Sequence, residues 1–288
     1  MNISLCTISF RHHLLSLSDI AEFADRSGFD SIELWAPHAR GLADQLDKNA
    51  EWLGDYGLTV PMISDYLTLD GDVQTLKERA EALCMLARRW KAKKIRTFAG
   101  NRASAETSPE ERETMVKRLR EIAVVAESHG IRLLLETHPH TLTDNGASTI
   151  RLLEEVAHAA IGINFDVLHV WEAGDDPISF HRQIREYVCH YHFKNITERK
   201  YLSVFSPVNV YAAAGARTGM CPLFSGAIDY PQVVKGIPEL MCGEASLEWF
   251  GDHPLQVLED DLAMLRRITE FHGQKEAQAF GSYHRVSA

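Results

Sequence analysis

The chain is short of positive charge. Its 30 lysines and arginines stand against 40 aspartates and glutamates, a formal charge of −10 at pH 7. A nucleic-acid surface, which displaces counterions with clustered Lys and Arg, is thereby disfavoured, and a small molecule is the better partner. Cysteine is sparse and scattered. Cys6, Cys84, Cys189, Cys221 and Cys242 form no C-x-x-C pair and are odd in number, which excludes a disulfide framework and fits reduced thiols in a cytoplasm. No apolar run approaches the roughly 18 residues of a membrane span, and Met1-Asn2-Ile3-Ser4 has no basic region leading into an apolar one. Neither G-x-G-x-x-G nor G-x-x-x-x-G-K-[ST] occurs, so dinucleotide and ATP fingerprints are missing. No serine or cysteine stands beside His138 or Lys194, and no acyl-transfer triad is read.

What is present is an alternation. Short β-type runs are predicted at Ile3–Ile8, Ser31–Leu34, Thr59–Ile63, Lys94–Phe98, Ile131–Glu136, Ile161–Asp166, Val188–Phe193 and Ala245–Trp249, separated by stretches of helical period. Val73, Leu76, Ala80, Leu83 and Ala87 fall on one helical face, as do Met115, Leu119, Ile122 and Ala126. Ser108-Pro109-Glu110-Glu111 reads as a capping box with proline at the first helical position, and Ser27-Gly28, Tyr56-Gly57 and His129-Gly130 as helix ends. Eight strand and helix alternations over 288 residues, 45% of them hydrophobic, point to a single (β/α)8 barrel over 1–272, with a doubly wound open sheet as the alternative. Residues 273–288 read as a polar tail that frays or packs on a neighbouring subunit of a homo-oligomer. The connection from Phe193 to Ala245 is much longer than the others and is expected to form a lid over the site.

In a parallel barrel all strand C-termini open on one face, so their last residues can be read as one set. Glu136 and His138 close the fifth strand, Asp166 and His169 follow the sixth, His192 and Lys194 close the seventh, and Glu248 closes the eighth. Glu136, Asp166, His192 and Glu248 make an oxygen-rich ligand set suited to one Mg2+ or Mn2+ rather than a thiolate zinc site. Without a cation those carboxylates would repel one another. Glu33 is either a further acid in the mouth or the partner of a structural hydrogen bond. Arg96, inside the fourth strand, should face the mouth and hold an anion bidentately. Arg217, in the long connection, grips the same anion, closes the lid, or is a solvated loop charge.

These strand ends resemble the xylose-isomerase-like barrel superfamily of sugar isomerases, epimerases and endonuclease IV. Within it, Ser4-Leu5-Cys6-Thr7-Ile8-Ser9-Phe10-Arg11-His12, Lys94-Ile95-Arg96-Thr97-Phe98-Ala99-Gly100, Leu135-Glu136-Thr137-His138-Pro139, His190-Tyr191-His192-Phe193-Lys194-Asn195 and Ser246-Leu247-Glu248-Trp249-Phe250 are similar to the bacterial 3-dehydroshikimate dehydratases of petrobactin pathways. The resemblance implies conversion of 3-dehydroshikimate to protocatechuate and water with a divalent metal on Glu136, Asp166, His192 and Glu248. It further implies His138 or His169 as the base, Lys194 as a stabiliser of developing charge, Arg96 and Arg217 as carboxylate anchors, and Tyr66 and Tyr211 as residues that orient hydroxyls or cover the ring. His140 is expected to lie outside the site. A metal-dependent isomerase or epimerase of the same superfamily is the competing expectation, and Arg96 counts against it because a neutral sugar needs no guanidinium.

Overall fold

The computed structural model describes residues 1–283, with side chains as far as residue 270. Its parallel strands are β1 (Asn2–Cys6), β2 (Ser31–Trp35), β3 (Met62–Ser64), β4 (Lys94–Thr97), β5 (Arg132–Glu136), β6 (Ile161–Asp166), β7 (Val188–Phe193) and β8 (Glu244–Leu247). They pair in chain order and β8 returns to β1, closing a barrel. The predicted architecture is the observed one.

Strand alternation divides the side chains between two environments. Ile3, Leu5, Ile32, Leu34, Leu133, Leu135, Ile163 and Phe165 join the buried apolar layer under the helices. The intervening residues share the lumen, and register sets Ser4 beside Ser31 and Ser246, Cys6 beside Glu33, Ser64 beside Arg96, Glu136 beside Asn164, and Asp166 beside His192. Branched aliphatic residues usually fill such a lumen; here it is largely polar. Ser4 and Ser31 hydrogen-bond at 2.7 Å. Lys94 reaches His190 Nδ1 at 3.1 Å, so His190 donates from Nε2 to Ser246 Oγ at 2.7 Å. Lys94 also pairs with Glu244.

The helical faces read from the sequence are buried except at Val73, which is half-buried, with Leu76, Ala80, Leu83 and Ala87 inside on the helix Val73–Arg89, and Met115, Leu119, Ile122 and Ala126 on Pro109–Ser128. The Ser108 and Glu111 capping box forms. Several boundaries move: β1 stops at Cys6 before a 3-10 turn Thr7–Phe10, β4 at Thr97 and β8 at Leu247, each short of its expected end. The third strand starts at Met62, with Thr59 left as an isolated bridge to Ser31, because Pro61 has no N–H for the ladder. The last helix runs from Pro254 to Tyr283, past the expected barrel limit at 272; the rest of the predicted tail, 284–288, lies outside the described residues.

The connection from β7 to β8 is built from several short elements. It holds a two-stranded ribbon, Asn195–Ile196 against Met220–Cys221, a 3-10 segment Arg199–Phe205, one turn Pro207–Val210, and the helix Tyr230–Gly236. Buried Tyr230 donates to the Lys194 carbonyl at 2.8 Å, fixing the chain just beyond β7.

Candidate active site

The C-terminal ends of β5 to β8 deliver their polar residues to one point. Glu136 closes β5, and its carbonyl accepts from Thr143 Oγ1 at 2.5 Å. Asp166 closes β6 and also caps the helix Val167–Ala173, accepting from the His169 N–H at 3.1 Å. His192 is the fifth residue of β7, and Glu248 follows β8, its N–H donating to the Phe193 carbonyl at 3.0 Å. One ligand atom from each of Glu136, Asp166, His192 and Glu248 lies within 4.8 Å of the others.

Glu33 decides the orientation of His192. Burial would raise its carboxyl, but the imidazoles of His192 and His190 and the Arg96 guanidinium outweigh burial and hold it at about 2. An ionised Glu33 accepts from His192 Nε2 at 2.7 Å. Nδ1 is thereby aimed between Glu136 Oε1 and Glu248 Oε1, each 3.4 Å away, and has no hydrogen-bond partner among the described residues. Although burial opposes it, Glu33, Glu248 and Glu136 draw the His192 pKa well above its usual value. A cation at Nδ1 would take that proton's place. Four buried carboxylates, Glu33, Glu136, Asp166 and Glu248, face two fixed cations, Arg96 and Lys194; a divalent ion with neutral His192 balances the remaining charge. The residues fit the metal that the ligand pattern calls for.

Arg96 is buried, with Nε 2.9 Å from Glu136 Oε2 and its guanidinium carbon 5.2 and 5.3 Å from the ring centres of Tyr66 and Phe98. The contact with Glu136 is an ion pair without hydrogen-bond alignment, and Nε and Nη1 both have no hydrogen-bond partner among the described residues. Lys194 bridges Asp166 and Glu248, the latter at 2.8 Å. Burial disfavours its charge, but Asp166, Glu248 and Glu136 prevail and keep it an ammonium.

The two histidines differ in what stands behind them. His138 Nδ1 donates to the Pro139 carbonyl at 2.8 Å, leaving Nε2 as an acceptor; burial and then the neighbouring His169 push its pKa well below the usual range, so it is neutral. His169 Nδ1 lies 2.7 Å from the Glu172 carboxylate. Their ring centres are 4.5 Å apart. Both line a cavity of about 260 Å³ together with Tyr66, Arg96, Phe98, Glu136, Lys194, Phe205, Tyr211, Glu248 and Phe250. Tyr211 roofs it from the long connection, stacked 6.2 Å from Trp35 and edge-on to Tyr66 at 6.3 Å.

Arg217 stands apart. It does not line the cavity, and its guanidinium donates to the carbonyls of Ala212 at 3.1 Å and Ala216 at 3.2 Å. His140 is exposed at a left-handed φ of 58°, outside the site as expected. Glu172 and Arg11 escaped the sequence reading. The spacing His169-x-x-Glu172 is one helical turn and was the available signal for the first; Arg11 left none, because Val210, the strap residue it holds, lies 199 residues away in the chain.

Comparison with known proteins agrees with this geometry. The model of the xylose isomerase-like TIM barrel family matches residues 21–268. A 3-dehydroshikimate dehydratase of Bacillus anthracis is 46% identical over 271 residues, 92% of this chain and 96% of that protein. The crystal structure of the probable 3-DHS dehydratase AsbF, involved in petrobactin synthesis in Bacillus anthracis, superimposes with a TM-score of 0.88 over 92% of this chain and 99% of that one, at 46% identity. A magnesium-bound barrel from Mycobacterium smegmatis, 20% identical and covered to 96% by 93% of this chain, shares the fold at a TM-score of 0.68. The chain belongs to the xylose isomerase-like TIM barrel family, in its 3-dehydroshikimate dehydratase branch.

Proposed function

We propose that this chain is a metal-dependent 3-dehydroshikimate dehydratase, a hydro-lyase that forms protocatechuate and water. The observation that carries the reading is that Glu136 and Glu248, two of the four clustered residues, line one cavity with His138, His169 and Arg96. Glu136, Asp166, His192 and Glu248 would hold Mg2+ or Mn2+, which would supply Lewis-acid polarisation of the ring ketone and so acidify the neighbouring C–H.

The remaining work belongs to the side chains. Arg96 takes a substrate carboxylate oxygen with the part of its fork that Glu136 leaves free. His138, neutral and with Nε2 open, accepts the ring proton. Lys194, held as an ammonium, faces the negative charge that grows on the ring oxygen. The hydroxyl β to the ketone departs with its electron pair, and His169, backed by Glu172, supplies the proton that makes it water. Tyr66 and Tyr211 cover the ring, and Phe98, Phe205 and Phe250 keep bulk water from it. Residues 1–272 would act as this one catalytic domain, in the cytoplasm, supplying protocatechuate to siderophore synthesis or aromatic catabolism.

The test is an absorbance assay for protocatechuate with and without chelator and added Mg2+ or Mn2+. Turnover restored by metal is expected. His138→Ala should keep its metal and lose about 10²–10⁴-fold in kcat. Turnover of a free ketose with no protocatechuate under metal-replete conditions would sink the reading in favour of an isomerase or epimerase.

A further inference from the structure

We propose that Arg11 and Arg217 form an anion-capture site at the mouth of the barrel, which takes the carboxylate of the arriving substrate before it passes to Arg96. The proposal rests on the dehydratase reading for the identity of the anion. It begins from a conflict: a chain of net charge −10 must admit a negatively charged molecule, and the long-range field opposes it. Local positive charge at the mouth can reverse that sign over the last Debye length.

Arg11 follows β1 and its short 3-10 turn. Its Nε donates to the Val210 carbonyl at 2.6 Å and its Nη1 to the Ile8 carbonyl at 3.2 Å. Its guanidinium carbon lies 4.8 Å from the ring centre of Phe250, a wall of the cavity. Nη2 is buried and has no partner among the described residues. Arg217 donates to the Ala212 carbonyl, two residues beyond Val210. The two guanidinium groups therefore grip the strap on either side of Tyr211, the residue that roofs the cavity.

Every hydrogen bond described for this pair goes to a main-chain carbonyl, which satisfies donors and neutralises no charge. Burial first, and then Arg217, lower the Arg11 pKa to about 10, with Glu248, Tyr211 and Tyr66 offsetting only part of that. A carboxylate supplies what is missing, because it relieves the repulsion and matches the guanidinium fork. Neither arginine lines the cavity, whereas Arg96 does. That placement makes them a station on the way in rather than the final anchor.

The experiment measures kcat/KM for 3-dehydroshikimate from low to about physiological salt and beyond, for the wild type, Arg217→Gln and Arg217→Lys. Arg217 is used first because Arg11 also holds the strap; Arg11→Lys, which keeps the charge, is the companion. Wild-type kcat/KM is expected to fall as salt rises. Arg217→Gln should lose about tenfold at low salt, through KM, with the gap closing at high salt, and Arg217→Lys should recover most of it. A wild-type rate that is flat or rises with salt, or an Arg217→Gln loss that is equal at both ends, overturns the proposal and leaves the arginines as clamps on the strap. Benzoate titration into the metal-free proteins separates the two readings. If no variant makes protocatechuate but salt-sensitive benzoate binding is lost in Arg217→Gln, the capture site stands and the dehydratase assignment fails. Benzoate binding unchanged by Arg217→Gln counts against the capture site.

Discussion

Glu33 shows how far one side chain outside the ligand set controls the site. It holds the Nε2 proton of His192 and so turns Nδ1 toward Glu136 and Glu248, where a cation would replace its proton. A neutral amide in its place can still accept that proton but no longer raises the basicity of the ring. Glu33→Gln should therefore weaken Mn2+ binding about 10–100-fold, measured by calorimetric titration of the metal-free protein; undiminished affinity would reduce Glu33 to a packing role. The clustering of Glu136, Asp166, His192 and Glu248 was legible in the sequence because a parallel barrel sends every strand end to the same face, whatever the separation along the chain. Glu33 was legible only as an open choice, since nothing local tells an acid in the mouth from one bonded beneath it. Arg217 was legible only as an open choice between anion grip, lid and solvated loop charge, because the direction of a loop side chain depends on which carbonyls it meets.

Among the elements, β6 shows what the polar lumen demands of its strands. Gly162 pairs with Leu134 across the sheet, and a Cβ there would lie 2.8 Å from Leu134 Cδ2 and 2.9 Å from Cys189 Sγ. The backbone needs no unusual conformation at this position; only the space is lacking. Gly162→Ala is expected to cost about 1–3 kcal/mol by overpacking, read as a lower urea midpoint with an unchanged slope. An equal midpoint would show that Leu134 and Cys189 move aside freely. Helices were easier to place than strands, for physical reasons. Ser108 and Glu111, or Gly28 at its left-handed φ of 85°, mark helix ends with local bonds that leave a signature in three or four residues. Strand limits depend on distant partners, so Thr59 could not be told from Met62 until the neighbouring strand was in place. The long connection was recognised by length, but its helix Tyr230–Gly236 was hidden by having only seven residues.

At the scale of the whole molecule, closure of the fold runs through Asp261. It sits on the last helix and accepts the Leu223 N–H with both carboxylate oxygens, at 2.9 and 3.0 Å. That contact ties the C-terminal helix to the connection between β7 and β8. Burial, only partly offset by the Leu223 N–H, pushes its pKa from 3.8 to about 7. The folded protein therefore keeps a proton on Asp261 that the unfolded chain releases near pH 4. Its contribution to stability is complete below the unfolded pKa, declines as pH rises, and is lost once pH passes about 7. Each unit of separation corresponds to about 1.4 kcal/mol. Asp261→Asn keeps an acceptor for Leu223 and removes the titration. The difference in Tm between wild type and variant, followed by circular dichroism, isolates this group because the carboxylates of the metal site titrate alike in both. Wild type should lose ground to Asp261→Asn steadily from pH 5 to pH 7 and run parallel to it above. Parallel curves across the whole range would mean that water reaches Asp261 and that the helix is held by packing alone.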